Sequence, residues 1–124
     1  IRYTSVSGIP LTELMDEERI EELVQRTRGG GSEIVGLLKT GSAFYAPAAA
    51  AVSMAESILL EKDRIIPSSC YLDGEYGLSD IYIGVPAKLG RGGVKDIIEL
   101  NLTDEELEAL QASAAVYREK LEKI

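Results

Sequence analysis

Between residues 64 and 100 the chain reads as three β-prone runs separated by glycine-rich turns, and this pattern restricts the fold more than any other feature. The first run, Arg64–Leu72, contains Pro67. Proline lacks a backbone N–H, so that run belongs at a sheet edge or a bulge. Asp73-Gly74-Glu75-Tyr76-Gly77 reads as a turn, and Ser79–Pro86 as a second strand that Lys88–Leu89 can extend. Gly90-Arg91-Gly92-Gly93 is a further turn, leading into a third run, Val94–Leu100. Connections this short join antiparallel neighbours, because a parallel pair needs a crossover of a dozen residues or more. An antiparallel meander is therefore expected.

Helical signals flank this region. Asp16 precedes Glu17 and Glu18 as an N-cap with acid in the first turn, where the helix dipole favours it. Ile20, Leu23, Val24 and Thr27 follow as an inward stripe. Gly29-Gly30-Gly31 is expected to end or sharply break that helix, with Ser32 capping a short second one through Leu38. After a turn at Thr40-Gly41-Ser42, a third helix is expected from about Ala46 to Glu61, with Pro47 in its first turn. Thr103 and Glu106 have the spacing of a capping box ahead of the last helix. Residues 1–7 are β-prone, and Gly8-Ile9-Pro10 is read as a turn. At 124 residues this is one α+β domain: an antiparallel β-meander packed against several helices.

Composition restricts the chemistry. The chain has no histidine, which excludes imidazole acid–base pairs and histidine metal sites. A net charge of −8 disfavours nucleic acid and anionic membranes as partners. The most apolar stretch, around Ala46–Leu60, is interrupted by Ser53, Glu56 and Ser57 and is no membrane span. The single cysteine, Cys70, lies in an apolar run and is expected to be a small buried hydrophobe, in keeping with a cytoplasmic protein. The chain opens on Ile1-Arg2-Tyr3-Thr4 as if within a strand, so it is expected to be a segment of a longer protein.

Neither glycine run has a phosphate-loop spacing, so no dinucleotide site is expected within the chain. The acidic Asp104–Glu108 stretch is read as a solvated helix start, and no metal site is assigned. Asp73, Glu75 and Asp80 cluster near one hairpin without the count or spacing of a cation loop. Thr40-Gly41-Ser42-Ala43-Phe44-Tyr45-Ala46-Pro47 differs in kind. It joins small residues, a hydroxyl and a helix start, whose free N–H groups suit a carboxylate or an electron-poor ring. On the residues alone, a tight turn into a packed helix is the competing reading.

Gly31-Ser32-Glu33-Ile34-Val35 with Leu37–Ala50 resembles bacterial, lactate-dehydrogenase-like malate dehydrogenases. So do Tyr71–Gly77 and Asp80-Ile81-Tyr82-Ile83-Gly84-Val85-Pro86, in the same order along the chain. The resemblance implies the C-terminal, substrate-side domain of an NAD-dependent enzyme that interconverts malate and oxaloacetate. It implies a separate N-terminal NAD-binding domain of the Rossmann type, outside this chain, as the domain's partner. It implies a homodimer or homotetramer. It assigns no catalytic residue here. Gly41, Ser42 and Ala43 match the loop that borders the substrate, and Pro47 matches a position beside the nicotinamide ring. Lactate dehydrogenases typically carry Tyr-Thr where this chain has Ser42-Ala43. The isolated chain is expected to be inactive, with the Gly41–Ala50 region partly uncovered. The alternatives are a domain acting on lactate or another 2-hydroxy acid, and a non-catalytic oligomerisation or binding module of the same fold.

Overall fold

In the computed structural model, which describes residues 1–121 and 123, the three β runs form one antiparallel sheet. Its strands are β3 (Arg64–Asp73), β4 (Ser79–Gly90) and β5 (Gly93–Ile97), in the order β3-β4-β5. The register runs from Arg64↔Leu89 to Asp73↔Ser79, with Pro67 facing Pro86. Pro67 thus sits on an edge strand, where its missing donor breaks no ladder.

The alternation along β3 and β4 decides which face is buried. Cys70 and Leu72 on β3 and Ile81, Ile83, Val85, Ala87 and Leu89 on β4 are all buried, and residues between them are mostly exposed. Each fully buried branched side chain contributes roughly 1.5–3 kcal/mol relative to an exposed one. Ala114 of helix α4 (Asp104–Leu121) closes over this face, with Leu107 and Leu110 partly buried against it. Met54 of helix α3 (Tyr45–Leu59) packs on the same cluster. Cys70 is a core residue, and burial pushes its thiol pKa up.

The chain divides into two units, Ile1–Ala48 and Ala49–Ile124. In the first, β1 (Ser5–Val6) and β2 (Ile9–Pro10) form a hairpin that turns at Ser7-Gly8, one residue earlier than the sequence suggests. A four-residue helix, α1 (Leu11–Leu14), follows directly. Asp16 caps helix α2, its Oδ1 accepting the Arg19 N–H at 2.8 Å.

Helix α2 corrects one expectation. It runs unbroken from Glu17 to Leu38, straight through Gly29-Gly30-Gly31, and Ser32 caps nothing. Each glycine costs about 1 kcal/mol relative to alanine inside a helix, which weakens the segment without stopping it. The helix ends instead at Lys39, which takes the left-handed conformation usually left to glycine (φ 63°).

The third β run is also shorter than expected, ending at Ile97 rather than Leu100. The reason is Tyr76, which lies in the single 3-10 turn between β3 and β4. Its buried hydroxyl donates to Ile98 O and accepts from Leu100 N–H, both at 2.9 Å. Its own N–H donates to Glu99 Oε2 at 2.9 Å. Ile98 N–H still donates to Pro86 O of β4 at 2.8 Å, but the Ile98 carbonyl and the Leu100 N–H are satisfied by a side chain, not by a ladder. Beyond them the capping box forms as read: Thr103 N–H donates to Glu106 Oε2 at 2.9 Å, and Glu106 N–H donates to Thr103 Oγ1 at 3.2 Å.

Tyr76→Phe keeps the ring but strands Ile98 O and Leu100 N–H. Urea unfolding is expected to show a loss of about 1–3 kcal/mol. An unchanged midpoint would mean that water replaces the hydroxyl without cost.

Candidate substrate-pocket wall

The segment singled out in the sequence leaves α2 through Lys39 and reaches α3 in five residues, Thr40–Phe44. Gly41 takes φ +93°, a conformation that a side chain would strain. Phe44 N–H donates to Ser42 O at 2.9 Å, and Phe44 O accepts from Ala48 N–H, so the loop closes directly onto the helix. The Phe44 and Tyr45 rings stack at 4.6 Å between centroids, and both are exposed. Ser42 and Pro47 are exposed and Ala43 is half-buried. From Gly41 to Ala50 every residue but Ala43 is exposed, as expected for this region.

Ser42 and Ala43 line an open cavity of about 600 Å³. The other lining residues come from α2: Gly31, Ser32, Val35 and Gly36. These α2 residues escaped the sequence reading because it broke the helix at the glycines. Carried as one helix, positions 31, 32, 35 and 36 fall on one face by the 3.6-residue repeat, and their small size was the available signal. Gly41 shapes the turn instead of lining the cavity, and Pro47 sits in the first turn of α3.

No lining residue is titratable. This wall can bound a small molecule, offer the Ser32 and Ser42 hydroxyls and exclude water, but it cannot transfer protons. The face of α3 that carries Ala46, Pro47 and Ala50 is exposed and has no side chain larger than proline, which lets a flat ring approach closely. The carboxylates near the β3–β4 hairpin are engaged separately: Glu75 accepts from Asp73 N–H, and Asp80 accepts from Tyr71 Oη at 2.6 Å. Among the described residues no group of three or more potential ligands is placed to hold a metal.

The second half of α3 is anchored by one buried hydroxyl. Ser57 has no exposed surface. Its Oγ donates to Leu89 O at 2.7 Å and accepts from Arg64 N–H at 3.1 Å, tying the helix to β4 and to the start of β3. The turn that follows is held by ion pairs. Asp63 faces Lys95 at 2.7 Å and Lys88 at 3.7 Å, and Glu61 pairs with Arg91. Gly90 leaves room beneath them, because an added Cβ would overlap the Asp63 carboxylate and come within 2.7 Å of Lys95 Cε, so both side chains would have to shift.

Residues 3–124 match the family model described as lactate/malate dehydrogenase, alpha/beta C-terminal domain. The chain belongs to the lactate/malate dehydrogenase family. It is 59% identical over 113 residues to the malate dehydrogenase of Roseiflexus sp. (strain RS-1), covering 91% of this chain and 37% of that protein. It is 52% identical over all 124 residues to the malate dehydrogenase of Chloroherpeton thalassium, of which it covers 40%. The solved malate dehydrogenase from Salinibacter ruber superposes with a TM-score of 0.93 at 53% identity, over 98% of this chain and 39% of that one. A lactate dehydrogenase from Eimeria maxima, solved with NADH and oxamate, superposes with a TM-score of 0.89 at 41% identity, over 98% of this chain and 39% of that one. The chain therefore spans about two fifths of the length of the relatives it matches, and its α+β fold is that of their C-terminal domain.

Ser57→Ala removes the buried hydroxyl's bonds to Leu89 O and Arg64 N–H, and chemical denaturation should register a loss of about 1–3 kcal/mol. The hydrogen bond from Lys95 holds the Asp63 carboxyl below its ordinary value. A carboxylate lowered by folding stabilises above its unfolded pKa of about 3.9, and that contribution disappears as pH falls through the folded value. Asp63→Asn should therefore flatten the acid limb of the stability curve below about pH 4. An acid limb identical to that of the unmodified protein would show the pair to be energetically idle.

Proposed function

We propose that this chain is the substrate-side domain of an NAD-dependent malate dehydrogenase that interconverts malate and oxaloacetate. The observation that carries the reading is identity above 50%, across nearly the whole chain, to proteins named malate dehydrogenase. In that reaction the C2 hydride of malate leaves for the nicotinamide ring and the hydroxyl proton leaves for a base, giving oxaloacetate. With no histidine, this chain supplies no imidazole base.

Its own part is shape. Ser42 and Ala43, presented by the turn at Gly41, border the substrate, with Ser32 and Val35 of α2 completing that wall. Pro47 flanks the nicotinamide, and the small exposed face of α3 fits a flat ring there. The bulk of NAD is held by a separate N-terminal nucleotide-binding domain. That domain and a second copy of the chain cover apolar side chains left exposed here, such as Leu37, Phe44 and Tyr45. The working form is a cytoplasmic homodimer or homotetramer. A second reading, a lactate-type substrate, draws on the likeness to the Eimeria maxima enzyme. The small Ser42-Ala43 pair favours malate, because a longer dicarboxylate needs the room.

Two measurements test this. The complete protein should reduce NAD in the presence of malate, followed at 340 nm, whereas the 124-residue chain alone should show no turnover. A complete protein that leaves malate untouched removes the assignment, and turnover by the isolated chain removes the division of labour. In the complete protein, the double change Ser42→Tyr and Ala43→Thr narrows the wall. It should lower kcat/KM for oxaloacetate by roughly 10–200-fold, the range that small steric changes in a pocket produce. An effect below about threefold would place the substrate elsewhere.

A further inference from the structure

Three consecutive glycines in the middle of a 22-residue helix are costly, and nothing in this chain explains them by packing. A Cβ built on Gly29, Gly30 or Gly31 would meet no atom within 4 Å. Replacing any of them with alanine would favour the helix about fivefold. Gly31 also lines the cavity, but Gly29 and Gly30 do not, and the consequence shared by all three is a backbone that bends easily.

One interaction spans the weak stretch. Arg26 lies before it and Glu33 after it. Their side chains form a two-pronged pair, with Nη2–Oε1 at 3.0 Å and Nε–Oε2 at 3.3 Å. This fork geometry fixes direction as well as distance, so the pair resists both bending and twisting of the intervening turn. The segment beyond the glycines, Ser32–Leu38, carries the α2 side of the cavity through Ser32, Val35 and Gly36. Hinge, strap and wall are therefore consecutive along one helix.

We propose that α2 is hinged at Gly29–Gly31 and that the Arg26–Glu33 pair positions its distal arm, setting the cavity wall that Ser32 and Val35 form beside Ser42 and Ala43. Arg26 and Glu33 are positioning residues, because neither lines the cavity. The substrate consequence rests on the pocket-wall reading above; the hinge itself does not.

The test is amide hydrogen exchange on the complete protein, paired with steady-state kinetics. Glu33→Gln cuts the strap and should speed exchange of the 32–38 amides about two- to fivefold, in line with an exposed ion pair, while residues 17–25 stay unchanged. Gly30→Ala stiffens the hinge and should slow the same amides about fivefold. The charge-exchanged pair, Arg26→Glu with Glu33→Arg, should restore the original rates. Glu33→Gln should also raise KM for oxaloacetate about two- to fivefold with kcat nearly constant, and the charge-exchanged pair should reverse this. Unaltered exchange in both single variants overturns the hinge. Altered exchange with an unaltered KM overturns the positioning role. If Gly30→Ala and Gly29→Ala both abolish folding or assembly, the glycines admit another backbone and the hinge is again overturned. Absence of malate turnover in the unmodified protein counts against the proposed function alone, since the exchange rates still decide the hinge.

Discussion

The antiparallel pairing of β3 with β4 is the constraint on which the Ala49–Ile124 unit depends. Its register sets Cys70 and Leu72 beside Ile83 and Ile81 on one face, and a one-residue slip would turn that whole set to solvent. Once the face is fixed, α4 has a surface to cover with Ala114, Leu107 and Leu110. The same strand gives Ser57 a carbonyl, Leu89 O, to which the second half of α3 attaches. A buried hydroxyl placed between two backbone groups is an exacting device. It stabilises only while both partners stay in register.

The Ile1–Ala48 unit is built on a different principle. Ile20 is its one buried residue, while Ile34, Val35, Leu37 and Leu38 on the distal part of α2 stay exposed. Its order comes from local hydrogen bonds: the Asp16 cap, the Arg19–Glu22 and Arg26–Glu33 pairs, and the short hairpin before α1. The contrast is between a unit with a sealed core and a unit with apolar side chains left exposed.

The elements legible in the sequence were those with local causes. Proline at 67, the strand that starts at Ser79 and extends through Lys88–Leu89, the Asp16 cap and the Thr103–Glu106 box each depend on a few neighbouring residues, and each forms as read. The misses were failures of local reasoning about competing terms. Gly29–Gly31 resembles a stop signal, yet the cost of the glycines is outweighed by the helical segments on both sides. The end of β5 could not be read from Val94–Leu100, because Tyr76, some twenty residues earlier, takes up the Ile98 carbonyl and the Leu100 N–H. For the candidate site, Ser42 and Ala43 were visible as small residues at a helix start. Ser32 and Val35 were not, since their place on the wall depends on α2 continuing through the glycines.

What the sequence by itself determined was the α+β class, the order of the strands, the absence of any imidazole chemistry and the family. The first three follow from residue types and their spacing and the family from a resemblance of ordered motifs, all of which the chain carries whatever its tertiary state. What only the tertiary structure decided was where β5 stops, which hydroxyl anchors α3, and that the distal arm of α2 shares a cavity with the Ser42-Ala43 loop. Those outcomes depend on groups far apart in the chain meeting with hydrogen-bond or van der Waals precision, and a local pattern contains no record of such meetings.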